Sequence, residues 1–186
     1  VVKPSAWGAI AGAAGATVAG VAVGVVVRKQ HQISQDRQRL DSRSGLADAA
    51  PDPAAERSSV TADDGIRLAC EEIEPASGRA ELTVLLVHGF ALDRRTWHFQ
   101  RPALAGLGSP TVRQVLYDLR SHGRSERAAR ESCTLEQLGQ DLAAVIRALA
   151  PDGPLVLVGH SMGGMTVLAL AEQDPQLFTE RVAGVA

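Results

Sequence analysis

Cysteine is scarce in this chain of 186 residues, with only Cys70 and Cys133. Two thiols cannot build the disulfide framework of a small secreted domain, and their spacing is not that of a metal site, so they fit a reducing compartment. No metal and no cofactor is expected. An excess of charge of one sign is missing too. Lys and Arg number 19 against 21 Asp and Glu, for a net charge of -2, which excludes the basic footprint of a nucleic-acid binder. There is no internal repeat. Histidine is absent from the last part of the chain, since His31, His88, His98, His122 and His160 all precede Ser161.

Charge is absent altogether from Pro4 to Val27. As a helix that stretch would be about 36 Å long, enough to cross a hydrocarbon core of about 30 Å. A signal peptide would have a shorter apolar region leading to a small-residue cleavage site, whereas Val25-Val26-Val27 runs straight into Arg28-Lys29. A solvated Gly/Ala linker has no use for the valines at 18, 21, 23, 25, 26 and 27. The expectation is a single membrane span within residues 1–27. Arg28, Lys29, Arg37, Arg39 and Arg43 follow it while only Lys3 precedes it, so the rest of the chain is expected on the cytoplasmic side. Gly8, Gly12, Ala16, Gly20 and Gly24 would form a stripe of small residues, which either permits self-association or merely reflects a Gly/Ala-rich composition. Residues 28–59 are polar, contain Pro51-Asp52-Pro53 and read as a tether.

From residue 60 the pattern changes to alternating strands and helices. Val60 to Cys70 reads as two short strands joined at an Asp-Gly turn, an edge hairpin. Leu82 to Val87 is a continuous run of apolar residues but for Thr83, as in a strand buried on both faces. A helix is expected over about 96–107, a strand over 112–119, and a helix over 134–150 capped by Thr134. Leu155 to Val158 is the next strand, with an apolar helix directly after Gly159-His160-Ser161-Met162-Gly163-Gly164. The succession predicts an α/β class, with a doubly wound, mostly parallel sheet over residues 60–186. Arg181 to Ala186 reads as the start of a further strand, so the sheet is expected to be incomplete here and the chain to be a truncated piece.

His88-Gly89-Phe90 after one strand, Asp118-Leu119-Arg120-Ser121-His122-Gly123-Arg124-Ser125 after the next and the Ser161 turn after a third resemble the α/β-hydrolase superfamily, in its serine-nucleophile, esterase- and lipase-like branch. The resemblance implies acyl-enzyme chemistry on a small-molecule ester or related acyl substrate, with Ser161 as nucleophile and the backbone N–H groups of Phe90 and Met162 as oxyanion donors. His88, Gly89, Gly159, His160 and Gly163 would support those loops. Asp118 and Arg120 are expected to tie their loop together as a charged pair. Read without the resemblance, Ser161 could also be a helix cap. In this family the acid and the histidine follow the nucleophile. Only Glu172, Asp174 and Glu180 do so here, on or just beyond the helix that leads away from it, so the triad is expected to be unfinished and a non-catalytic module binding a ligand or partner is the alternative.

Overall fold

The computed structural model describes residues 55–75 and 78–186. Among them six strands form one sheet: β1 (Ala55–Thr61), β2 (Arg67–Ile73), β3 (Leu82–Val87), β4 (Val112–Tyr117), β5 (Leu155–Gly159) and β6 (Val182–Val185), in the spatial order β1-β2-β4-β3-β5-β6. The first two run antiparallel to their neighbours, while β4, β3, β5 and β6 are parallel. The edge hairpin turns as its Asp-Gly pair requires. Gly65 takes a φ of +88° that few other residues tolerate, and Ala62 and Ile66 close the turn with an N–H···O bond of 2.8 Å. Strand β1 begins at Ala55, so the last residues assigned to the tether belong to the sheet.

The central strand β3 has β4 on one side and β5 on the other, and its apolar run feeds two cores. Leu85 and Val87 point into one, with Val115, Tyr117, Leu157 and the buried face of helix α2 (Leu135–Leu149); Val84 and Leu86 point into the other, with Ile73, Trp97, Val112 and Leu116. A strand with no polar side has no solvent-facing register, which fixes its place at the centre. Helix α2 keeps its expected bounds because Thr134 caps it, accepting the Gln137 N–H at 3.2 Å, and because Leu138, Leu142, Val145 and Ile146 form one buried stripe.

The helix expected over 96–107 is instead a 3-10 turn, Arg94–Trp97, followed by the short α1 (Gln100–Ala105). The Asp93 carboxylate starts the turn by accepting the Arg95 N–H at 3.0 Å. Pro102 cannot donate to a preceding turn, so it is accommodated only by a helix that begins close before it. Helices α3 (Met162–Gln173) and α4 (Pro175–Arg181) complete the set; Asp174 caps α4, with Pro175 in its first position.

The Asp118–Arg120 pair is not formed. Both residues lie in the loop just after β4, and each side chain finds its partner across the fold. Arg120 is wholly buried and grips the equally buried Asp141 of α2 at 2.7 and 2.6 Å, and also holds Asp64 of the hairpin turn at 2.7 Å. Burial works against its charge, and the two carboxylates more than offset this, holding the guanidinium above its ordinary range. Asp118 pairs with Arg94. Among the described residues no helix is long and apolar enough to cross a membrane. The span and small-residue stripe read within residues 1–27, and the tether up to residue 54, lie outside the described residues.

Breaking a buried ion pair from one side leaves an uncompensated charge. Asp141→Ala is therefore expected to cost about 3–5 kcal/mol in urea unfolding, nearly independent of salt. A loss below about 1 kcal/mol would mean that the pair contributes no more than an exposed one.

Candidate active site

Ser161 stands alone between β5 and α3. Its backbone, φ 52° and ψ -111°, lies outside the regions open to ordinary side chains, so the fold holds a strained, exposed residue where the strand turns into the helix. Ser161 occupies the N-cap position of α3, where its carbonyl accepts the Met165 N–H at 3.2 Å, but its hydroxyl makes no capping bond and is left free of that role.

The glycines around it are dictated by contact. A Cβ on Gly159 would lie 2.5 Å from the Gly164 nitrogen, and one on Gly163 would run into the Val87 carbonyl and stand 2.9 Å from that of His88. A Cβ on Gly89 would meet His160 Nδ1 at 2.6 Å and its carbonyl at 3.1 Å. The His160 N–H donates to Val87 O at 3.0 Å, and the Gly163 N–H to His160 O at 2.9 Å. The tip of β3 and the Ser161 turn thus pack main chain against main chain.

Two backbone N–H groups border this contact without an acceptor among the described residues: that of Phe90, after His88-Gly89, and that of Met162, the first residue of α3. The latter sits at the positive end of a helix dipole. Phe90 itself is 73% exposed, so its side chain is no core anchor.

The histidines differ sharply. His88 is fully buried; its Nε2 accepts the Leu119 N–H at 2.9 Å, and its Nδ1 lies 2.8 Å from the Gly89 carbonyl. A lone pair is required at Nε2, so the proton sits on Nδ1. Both nitrogens are occupied, and burial pushes the imidazole below its ordinary range. His122 donates from Nδ1 to Arg120 O at 2.8 Å and sets its ring 5.8 Å from that of Phe90, edge to face. His160 is exposed, with its ring against Gly89. Among the described residues no imidazole or carboxylate is bonded to the Ser161 hydroxyl. Asp174 instead pairs with Arg147 at 2.6 Å, and Glu180 accepts from Gln176 at 2.9 Å.

One feature of the site escaped the sequence reading. Buried Arg94 donates its backbone N–H to Asp118 Oδ1 at 2.8 Å, its guanidinium to Asp118 Oδ2, and its Nε to Glu71 Oε2 at 2.9 Å. Asp118 also takes the Arg124 N–H at 2.8 Å. The loops after β3 and β4 are therefore clamped to each other by charge. No local spacing signals this, because the partners lie on separate elements: the turn after β3, the loop after β4, and β2.

An alpha/beta hydrolase family model matches residues 84–186, more than half of the chain. The chain belongs to the alpha/beta hydrolase family. Over 71% of its length it is 34% identical to the dihydrolipoyllysine-residue acetyltransferase component of the acetoin cleaving system of Pseudomonas putida, covering 32% of that protein. A thermophilic esterase from Thermogutta terrifontis shares 36% identity at a TM-score of 0.56, over 70% of this chain and 44% of the esterase. An epoxide hydrolase from Vigna radiata shares 27% at a TM-score of 0.60, over 73% of this chain and 38% of that one. The chain spans about a quarter to a half of the length of the curated relatives it matches.

The adjacent glycines of α3 give a sharp comparison. Gly163→Ala is expected to lower stability by about 2 kcal/mol or more, because its methyl meets main chain that cannot yield. Gly164→Ala, whose methyl would meet only Gly159 O at 3.5 Å, should leave stability unchanged or raise it by up to about 1 kcal/mol. Equal effects in thermal unfolding would show that the contact at Gly163 is not what holds the turn.

Proposed function

We propose that this chain carries the nucleophile and oxyanion site of a serine hydrolase acting on a carboxylic ester or a related acyl compound through an acyl-enzyme. The observation that supports this best is the strained, exposed Ser161 beside two unbonded backbone N–H groups, on a chain whose relatives include esterases and other hydrolases. In this reading Ser161 Oγ attacks the carbonyl carbon, and its proton passes to a base. The carbonyl oxygen becomes an oxyanion facing Phe90 N–H and Met162 N–H, the leaving alcohol departs with a proton, and water releases the acid from the acyl-serine. The serine also sets the chain apart from the epoxide-hydrolase branch, where the resemblance implies an aspartate at this turn.

The family order is Ser, Asp or Glu, His, and no histidine follows Ser161 in this sequence. His88 has no nitrogen to spare. An unpartnered Ser161 hydroxyl favours a second reading, a non-catalytic hydrolase module that binds a ligand or partner. We further propose that the uncharged stretch from Pro4 to Val27 is a single membrane anchor with the hydrolase part on the cytoplasmic side, supported by the basic residues that follow it.

A fluorophosphonate probe and nitrophenyl esters separate the two readings. Loss of a triad histidine costs on the order of a million-fold in turnover in a serine protease. Slow modification of Ser161, abolished by Ser161→Ala, is expected from the chain of 186 residues. Equal residual rates in both proteins would favour the binding module. For the anchor, exposed Cys133 is the reporter. It should stay unlabelled by an impermeant thiol reagent in intact cells and react once they are opened; labelling in intact cells would refute the cytoplasmic placement.

A further inference from the structure

The imidazole of His88 is bonded to the same peptide unit that carries the Phe90 N–H. The Gly89 carbonyl accepts His88 Nδ1–H at 2.8 Å and the Leu92 N–H at 3.3 Å. A peptide unit is planar, and in its trans form the N–H points opposite to the C=O. Two donors on the Gly89 oxygen therefore prevent this plane from flipping and leave the Phe90 N–H directed away from them, with no acceptor among the described residues. A hydrogen bond to an amide oxygen also polarises the unit, so that its N–H becomes a stronger donor.

We infer that His88 is a positioning residue of the oxyanion site, aiming and strengthening the Phe90 N–H through the Gly89–Phe90 peptide. This rests on the reading of Phe90 as an oxyanion donor. The ring is itself held, because Nε2 takes the Leu119 N–H at 2.9 Å and the His122 ring stands 5.4 Å away. Only the neutral Nδ1–H tautomer serves. A proton on Nε2 would confront the Leu119 N–H, donor against donor. Burial opposes that proton most strongly and His122 adds to the opposition, while the bond to the Gly89 carbonyl, Asp118 and Asp93 favour it, with a net downward shift. The unfolded chain, with an imidazole near 6.5, takes up the proton first. The stability that this arrangement contributes is thus complete above about pH 6.5 and is lost as the pH falls toward the folded value.

Two amide substitutions divide the roles of the ring. The Asn nitrogen sits near the place of Nδ1 and can still donate to Gly89 O; the Gln amide reaches the place of Nε2 and can still accept from Leu119. Each variant gives up one buried bond. In the chain of 186 residues, phosphonylation of Ser161 by a fluorophosphonate is expected to be at least about tenfold faster in His88→Asn than in His88→Gln, given that one oxyanion donor is worth about a hundred- to a thousand-fold. Their urea midpoints should be similar. Equal rates, or rates that merely follow stability, would overturn the assignment. Nitrogen NMR of the native protein decides independently of how well the variants fold: Nδ1 should carry the proton at neutral pH, and a proton on Nε2 would overturn the inference. After prolonged phosphonylation the Phe90 amide should shift in the native protein and shift less in His88→Gln. If neither Phe90 nor Met162 shifts in the native protein, the oxyanion reading itself fails; if Phe90 shifts equally in both, only the role of His88 fails.

Discussion

The end of β3 and the start of α3 touch through main-chain atoms, and the rest of the site depends on that contact. With no side chain at Gly163, the first turn of α3 lies directly on the Val87 and His88 carbonyls. With none at Gly159 or Gly89, the strand-to-helix turn closes tightly and the His160 ring lies flush against the neighbouring loop. Ser161 is left in a conformation that would relax if the contact opened. Both unbonded N–H groups belong to the segments pressed together there, so one packing constraint sets the height of the hydroxyl and of its two neighbouring donors.

Charge holds the rim of the same site. Arg94 joins the loop after β3 to Asp118 and to Glu71 of β2, and Arg120 joins the loop after β4 to α2 and to the hairpin turn. All of these ions except Asp64 are buried, so their worth lies less in net stability than in admitting a single arrangement of partners. A guanidinium that has lost either carboxylate cannot be compensated by water from the outside. His88 is the neutral counterpart: it bridges the same two loops by hydrogen bonds that need one tautomer and no charge. Together they leave the loops after β3 and β4 little freedom relative to the sheet.

Legibility in the sequence followed the range of the interactions. Helix α2 was readable to its ends because its cap and its buried stripe are both local, three and four residues apart. Strand β3 was readable because an apolar run has one burial solution. The segment after β3 misled, since Asp93 and Pro102 divide what its composition presents as one helix. Motif order is what singles out Ser161, Phe90 and Met162 as candidates, because it records a geometry without displaying it. Arg94 could not be singled out in that way, as its partners sit 23 and 24 residues away, on β2 and in the loop after β4, whose adjacency appears only after folding.

The sequence by itself determined the alternation of elements, the central place of β3 and the need for glycine around Ser161, because each follows from the local period, the local turn or the absence of a side chain. Tertiary structure alone decided the pairing of charges and the state of each histidine. Asp118 and Arg120 look like natural partners along the chain, yet the turn after β3 brings Arg94 to one and α2 brings Asp141 to the other, each pair buried. The proton of His88 was equally invisible in one dimension. It is placed by a backbone N–H from another strand's end, and an imidazole between a donor and an acceptor has only one neutral form that satisfies both.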